Sequence, residues 1–318
     1  MKAAVLTSSD AIPQCEDFEE PAASEGRQLM TLIAAGIHPV ARAIATGAHY
    51  GSNGRWPLIP GIDAVARTAD GTLVYTGWTE HPFGTFAERM AAPMGTPLPD
   101  GADPVQVAAG LNPGLSSWLP LTERAGAGPL GVVLVLGATG VAGNIAVQNA
   151  LALGAEHVIA AGRNEATLET LEGQHRTTVA LTGEPAHDVA ALEAAFGRHR
   201  PSIVLDFVWG RPAEAAFTAL GRTGLDQDEH PVTYIEIGES SGASASIPAS
   251  LLRSTALTIS GSGAGSADVQ KIIAQIPVFA SRIADGTVEI PVTTFPLADI
   301  AAAWQDATPG RRVVITGG

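Results

Sequence analysis

The segment from Val132 to Ala155 constrains this chain more than any other: VVLVLGATGVAGNIAVQNALALGA. Val132–Leu136 is a continuous apolar run rich in β-branched residues, the pattern of a strand covered on both faces. It leads directly into Gly137-Ala138-Thr139-Gly140-Val141-Ala142-Gly143, and a helical pattern then runs to Gly154. The glycines of such a turn have separate tasks. The first permits a tight bend, the second lets the backbone approach a pyrophosphate, and the third lets the helix pack closely. The helix N-terminus adds free N–H groups and the positive end of its dipole. A glycine triplet alone is a weak signal, but strand before and helix after is the context that gives it weight. Gly137, Ala138, Thr139, Gly140 and Val141 are thus expected to hold the phosphates of a dinucleotide. In the helix, Asn144, Gln148 and Asn149 share one face.

The next strand candidate, Val158–Ala161, ends in Gly162-Arg163-Asn164. An acid about 20 residues past the glycines would bind the ribose hydroxyls of NAD and repel an extra phosphate. Arg163 stands there instead. A guanidinium stacks on adenine and pairs with a 2′-phosphate, so NADP(H) is the expected cofactor, with Gly162, Arg163 and Asn164 at its adenosine end.

Four further strand candidates follow: Thr178–Leu181, Ile203–Phe207, Val232–Ile237 and Leu257–Ser260. Helical patterns lie between several of them. Val189, Leu192 and Phe196 fall on one face before Gly197, and another helix opens at Pro212 and closes at Gly221. This alternation implies a doubly wound parallel sheet. The flanking regions read differently. Residues 1–100 show short apolar runs (Ala3–Leu6, Leu29–Ala34), one short helix over Val40–Thr46, and a hairpin in which Asp70-Gly71 joins Val65–Thr68 to Leu73–Tyr75. Asp103-Pro104 caps and opens a helix. Pro113-Gly114 is expected to interrupt it, with a second helix running to about Ala125. The last stretch returns to strand (Glu289–Phe295), helix (Leu297–Ala307) and strand (Arg312–Thr316).

A length of 318 residues suits two domains. The net charge of −14 argues against nucleic acid and anionic membranes as partners. One cysteine, Cys15, allows neither an internal disulfide nor a cysteine-rich zinc lobe. No signal peptide is read at the start, and no apolar run reaches membrane-spanning length. A reducing cytoplasmic setting is expected. His157, His175, His187, His199 and His230 fall at expected turns and helix ends and receive no role.

MKAAVL at the start, Pro60-Gly61-Ile62-Asp63, Gly84-Thr85-Phe86-Ala87-Glu88, Pro99-Asp100-Gly101, the glycine fingerprint and Gly310-Arg311-Arg312-Val313-Val314-Ile315 occur in one order along the chain. In that order they resemble the medium-chain dehydrogenase/reductase superfamily, in its zinc-free quinone oxidoreductase branch. The resemblance implies an α/β protein: a GroES-like β-rich catalytic lobe (1–110 and 287–318) plus a Rossmann doubly wound parallel sheet (111–286). It implies a nicotinamide lying between the lobes and lined by Asn112, Ser116, Ser117, Gly238, Glu239, Ser240, Gly261 and Gly263. Zinc-dependent relatives carry a Cys and a Gly-His-Glu where this chain has Gly36-Ile37-His38-Pro39 and Gly61-Ile62-Asp63, so no metal is expected. His38 stands where the family often has Asn, and Tyr50 resembles a tyrosine that faces substrate. Ala41, Ala43 and Ala45 replace the family's Asp, Tyr and Arg, which leaves substrate preference open.

The implied reaction is hydride transfer from NADPH to a quinone or α,β-unsaturated carbonyl. Without a metal, the developing oxyanion needs hydrogen-bond donors, and Tyr50, His38 and Ser116 are the candidates. A homodimer paired through Leu257–Ser260, expected at a sheet edge, follows from the same resemblance. The alternative is a non-redox biosynthetic enzyme or cofactor-binding protein on this fold. Gly238-Glu239-Ser240-Ser241-Gly242 also matches a serine-hydrolase elbow, but that motif requires a helix immediately after it, and Ala243–Pro248 has poor helical character.

Overall fold

The computed structural model describes residues 1–125, 128–226 and 230–318. They form two compact units, Met1–Pro113 with Ile273–Gly318, and Gly114–Ile272. The sequence reading sets these divisions at 110 and 286; in the structure each falls within a helix.

In the first unit, β1 (Lys2–Val5) and β2 (Gln14–Asp17) pair antiparallel. A larger sheet contains β3 (Gln28–Gly36), β4 (Asp63–Arg67), β5 (Leu73–Gly77), β6 (Arg89–Ala92) and β7 (Thr96–Pro97), with α1 (Pro39–Thr46) between β3 and β4. The expected hairpin forms: β4 and β5 pair from Asp63↔Gly77 to Arg67↔Leu73 around a left-handed Gly71. Asp103 Oδ1 accepts the Val105 N–H at 2.8 Å and starts α2 (Pro104–Leu119), which continues into a π turn, Pro120–Arg124.

The expected break at Pro113 does not occur, and α2 runs through it. Proline removes one helical N–H, but α2 is buried on both sides of Pro113. Val107, Ala109 and Leu111 precede it, and Leu115 and Trp118 follow. Packing of this kind overrides local propensity.

The second unit alternates strand and helix: β8 (Val132–Leu136), α3 (Val141–Ala152), β9 (His157–Gly162), α4 (Glu165–Leu171), β10 (Arg176–Ala180), α5 (Pro185–Phe196), β11 (Ile203–Asp206), α6 (Gly210–Leu220), β12 (Val232–Glu236), α7 (Leu251–Ser254) and β13 (Leu257–Gly261). All pairings are parallel, in the order β10-β9-β8-β11-β12-β13. This is the doubly wound arrangement of two mononucleotide-binding halves, with its switch point between β8 and β11. One face of the sheet packs Leu134, Leu136, Val204 and Tyr234 with α5 and α6. The other packs Val133, Val135 and Leu205 with α3. The six strands match the sequence reading to within one residue or two. No helix follows β12 until α7, so the elbow geometry of a serine hydrolase is absent among the described residues.

After α8 (Val269–Ala284) the chain returns to the first unit with β14 (Val292–Pro296), α9 (Ile300–Gln305) and β15 (Arg312–Thr316). β15 pairs antiparallel with β3, so both ends of the chain build one sheet. Its core gathers Met30, Leu32, Phe86, Met90, Trp304 and Ile315. No helix among the described residues is long and apolar enough to cross a membrane.

Candidate cofactor site

The three glycines of the turn after β8 differ in their surroundings. Gly137 adopts φ +88°, and a Cβ there would meet Val208 Cγ1 at 2.8 Å. Gly143 has no room for a side chain, since a Cβ would lie 2.2 Å from the Gly137 carbonyl oxygen. At Gly140 a Cβ would meet only that same oxygen, at 3.5 Å. The space over Gly140 is therefore open, where a pyrophosphate would need the backbone bare. Gly137 and Ala138 donate their N–H groups to Ala161 O, both at 2.9 Å, which ties the turn to β9. Gly140 is the N-cap of α3, so the N–H groups of Val141, Ala142 and Gly143 have no acceptor within the helix.

At the end of β9, Gly162 is buried, and a Cβ on it would strike Thr139 at 2.6 Å. Thr139 thus rests on the second strand. Arg163 is exposed and has no partner among the described residues. Asn164 accepts the Thr167 N–H at 3.0 Å and caps α4.

In the other half of the sheet, Asp206 is the hub. Its Oδ1 accepts the N–H groups of Val208 (2.8 Å) and Trp209 (2.9 Å), and its Oδ2 accepts the Tyr234 hydroxyl at 2.6 Å. Its carbonyl accepts Ile237 N and Gly238 N. Burial pushes the Asp206 carboxyl up, against these hydrogen bonds; burial and the Asp206 charge push the Tyr234 hydroxyl well up. Ser241 N donates to Val208 O at 2.7 Å, and Ser240 Oγ donates to Phe207 O at 3.3 Å. The loops after β8, β11 and β12 therefore meet as one surface. Glu239 and Ser240 are exposed on it. Gly261 is in register with Glu236 at the end of β13, and Gly263 follows on the same exposed edge. Burial, then the charges of Asp206 and Glu239, raise the Glu236 carboxyl.

Ser117 is fully buried rather than lining open space. Its hydroxyl donates to Gly114 O (3.2 Å) and accepts from Asn149 Nδ2 (2.9 Å), joining α2 to α3. Asn149 is thus buried, while Gln148 turns to Asn144 Oδ1 at 2.9 Å. Ser116 is half-buried on α2.

In the first unit, His38 is buried, with Nε2 3.3 Å from Asp63 Oδ1. Asp63 Oδ2 accepts the Tyr75 hydroxyl at 2.5 Å. Burial, then Asp63, raise that hydroxyl well above its usual range, against a hydrogen bond with Asn112. Arg312 donates from Nη1 to Ile37 O at 3.0 Å, and burial lowers its guanidinium to about 10 despite the Asp63 charge. Tyr50 lies apart from this cluster. It is 77% exposed, with its ring centroid 4.0 Å from that of His49 and the two rings tilted by 33°. Among the described residues no group of three or more His, Cys, Asp or Glu side chains is arranged to hold a metal ion.

No protein-family model matches the chain. A protein of Emericella nidulans named "Probable NADPH-dependent quinone reductase tdiC" is 28% identical over 98% of this chain and 99% of its own length. The quinone oxidoreductase of Thermus thermophilus, solved alone and in complex with NADPH, is 27% identical, with a TM-score of 0.79 over 99% of this chain and 100% of that one. Along nearly its whole length the chain is thus similar to the quinone oxidoreductase-like branch of the medium-chain dehydrogenase/reductase superfamily. Mycobacterial Rv1454c in complex with NADPH, at 18% identity, shares the fold with a TM-score of 0.80 over 99% of this chain and 100% of that one.

This similarity accounts for the two units and the fingerprint turn, but not for three features absent from the sequence reading. The Asp206 hub is signalled only by an acid closing the apolar run Ile203–Leu205. The cluster of Asp63, Tyr75, Asn112 and Arg312 draws on distant segments and has no local signal. His157 and His199 stack at 3.7 Å, and His157 Nε2 lies 2.8 Å from Thr177 Oγ1, although nothing in the sequence marks either histidine for a partner.

Proposed function

We propose that this chain is an NADPH-dependent oxidoreductase, independent of zinc, that reduces a quinone or an α,β-unsaturated carbonyl. The observation that carries the reading is the fingerprint turn: bare backbone at Gly140, three N–H groups without helical acceptors, and at the end of the next strand an Arg163 without a partner among the described residues. Those residues fit a pyrophosphate and a 2′-phosphate. Bound NADPH would supply the hydride.

The chain's own residues do the rest. Gly137–Val141 bind and orient the phosphates, and Gly162 and Arg163 select the phosphorylated ribose. Glu239, Ser240, Gly261 and Gly263 edge the half of the sheet assigned to the nicotinamide; Ser117 packs α2 against α3, and Asn112 bonds Tyr75 within the first unit. Tyr50, whose hydroxyl makes no bond with the described residues, is the first candidate to donate to the oxygen on which charge develops. His38 and Ser116 are the other two. Asp63 Oδ1 lies 3.3 Å from His38 Nε2.

We also propose a cytoplasmic homodimer. β13 is the outer strand of its sheet, and it holds no Pro, Lys or Glu that would block pairing with a second copy about a two-fold axis. The test of function is NADPH oxidation with a panel of quinones and enones, with and without exhaustive chelation. Turnover that survives chelation supports the reading; no turnover with any acceptor overturns the redox assignment, and chelator-sensitive turnover overturns the zinc-free one.

A further inference from the structure

The π turn that ends α2 carries a residue the proposed mechanism does not use. A π turn closes on an i to i+5 bond, here from Ala125 N to Pro120 O at 3.0 Å, and such single turns occur often at functional sites. Its last residue, Arg124, reaches the loop after β13. Nη1 donates to Gly261 O, and Nη2 donates to Ser266 O at 2.6 Å and to Ser266 Oγ at 3.3 Å. Gly261 and Ser266 bracket the first turn of that loop, so one guanidinium closes it.

Within the loop, Ser266 N donates to Gly263 O at 3.0 Å, Gly263 N donates to Ser266 Oγ at 3.1 Å, and Ser262 N donates to Glu236 O at 2.7 Å. Next to Arg124, Glu123 pairs with Lys271 in the first turn of α8, where the loop ends. The wide turn therefore grips the loop at Gly261 and Ser266 and also the helix that follows it. A dinucleotide across this sheet places adenosine over β8–β10 and nicotinamide over β11–β13, so the gripped loop borders the nicotinamide half.

We propose that Arg124 is a positioning residue for the nicotinamide end of the cofactor. It touches no reacting atom and fixes the Gly261–Ser266 loop. The inference rests on the cofactor reading given above. Arginine suits the task because its rigid fork bonds two carbonyls at once, whereas a lysine ammonium is a point charge on a flexible stem.

The test compares the wild type, Arg124→Ala and Arg124→Lys by isothermal titration with NADPH and with adenosine 2′,5′-bisphosphate, which lacks the nicotinamide. Arg124→Ala should weaken NADPH about ten- to a hundredfold, the scale of a lost charge-assisted bond, with the fragment little changed. Arg124→Lys should fall between Ala and wild type. Equal weakening of both ligands, which general damage to the unit would produce, or unchanged NADPH affinity would overturn the inference alone. Failure of the wild type to bind either ligand would overturn the cofactor reading, and this inference with it.

Discussion

Gly140 and Gly143 are three residues apart in one turn, and replacing each with alanine should have opposite consequences for the ligand-free protein. At Gly143 the new Cβ would lie 2.2 Å from Gly137 O and 2.8 Å from Ala138 Cα. Both are backbone atoms, so relief requires the turn to retreat by about 1 Å. Overpacking of this kind costs about 1–3 kcal/mol. The gain of alanine over glycine within a helix, about 0.8–1.0 kcal/mol, offsets only part of it. At Gly140 the backbone is extended (φ −83°, ψ 162°), and the nearest contact is at 3.5 Å. Alanine fits there without strain and should stabilise the protein by about 0.4–1 kcal/mol, through the unfolded chain. Its methyl group would nevertheless occupy the space assigned to the pyrophosphate. Gly140→Ala should therefore raise the melting temperature slightly while weakening NADPH at least about tenfold, and Gly143→Ala should lower both stability and affinity. Thermal unfolding of the ligand-free variants and calorimetric titration with NADPH separate the two terms. Wild-type NADPH affinity in Gly140→Ala would show that no phosphate lies over that residue, and the assignment of the turn would be wrong.

Three further outcomes follow from the same structure. Arg163→Asp should weaken NADPH about ten- to a hundredfold through loss of a charge-assisted pair and leave NADH nearly unchanged; equal weakening in titration refutes the 2′-phosphate contact. His157 is held below its ordinary value of 6.5 by burial and by the charges of His199 and His175. The unfolded chain therefore takes up a proton that the folded chain refuses, so stability should fall as pH drops below about 6.5 and be indifferent to this group above it. Urea midpoints at about pH 7.5 and about pH 5.5 should show that fall, smaller in His157→Gln, and an unchanged slope in the variant refutes it. Ile259→Lys should split the dimer with little change in fold, and a wild-type monomer by light scattering at micromolar concentration ends that proposal.

The Rossmann unit was legible because its signals are local. Val132–Leu136 has the continuous apolar run of a doubly covered strand, and Gly137 and Gly143 each meet a steric demand readable from spacing. The course of α2 through Pro113 was not legible, because the burial that stabilises it comes from residues remote in sequence. The same reason hid the Asp63 cluster, whose members come from β4, β5, α2 and β15. Ser117 looked like a lining residue and is a packing residue, since its neighbour Asn149 lies on another helix. Arg124 carries no local signal, because nothing in Pro120–Arg124 announces a π turn.

Trp209 is where a local rule is broken most plainly. Its φ of +52° with ψ of −158° lies close to a region that is essentially glycine's alone, at a cost of about 1–3 kcal/mol. Such strain persists only where the surroundings over-determine it, and here they do. Asp206 Oδ1 holds the N–H groups of both Val208 and Trp209, and the indole packs edge-on against Phe217 and Tyr234 at 5.8 and 6.2 Å. The result lies one residue upstream. Val208 Cγ1 is pressed to 2.8 Å from where a Cβ of Gly137 would stand, and Val208 O receives Ser241 N. Relaxing Trp209 would release Val208, and the first glycine of the phosphate turn would lose the wall that fits its missing side chain. The strained tryptophan thus adjoins Val208, the residue that faces Gly137 at the switch point of the sheet.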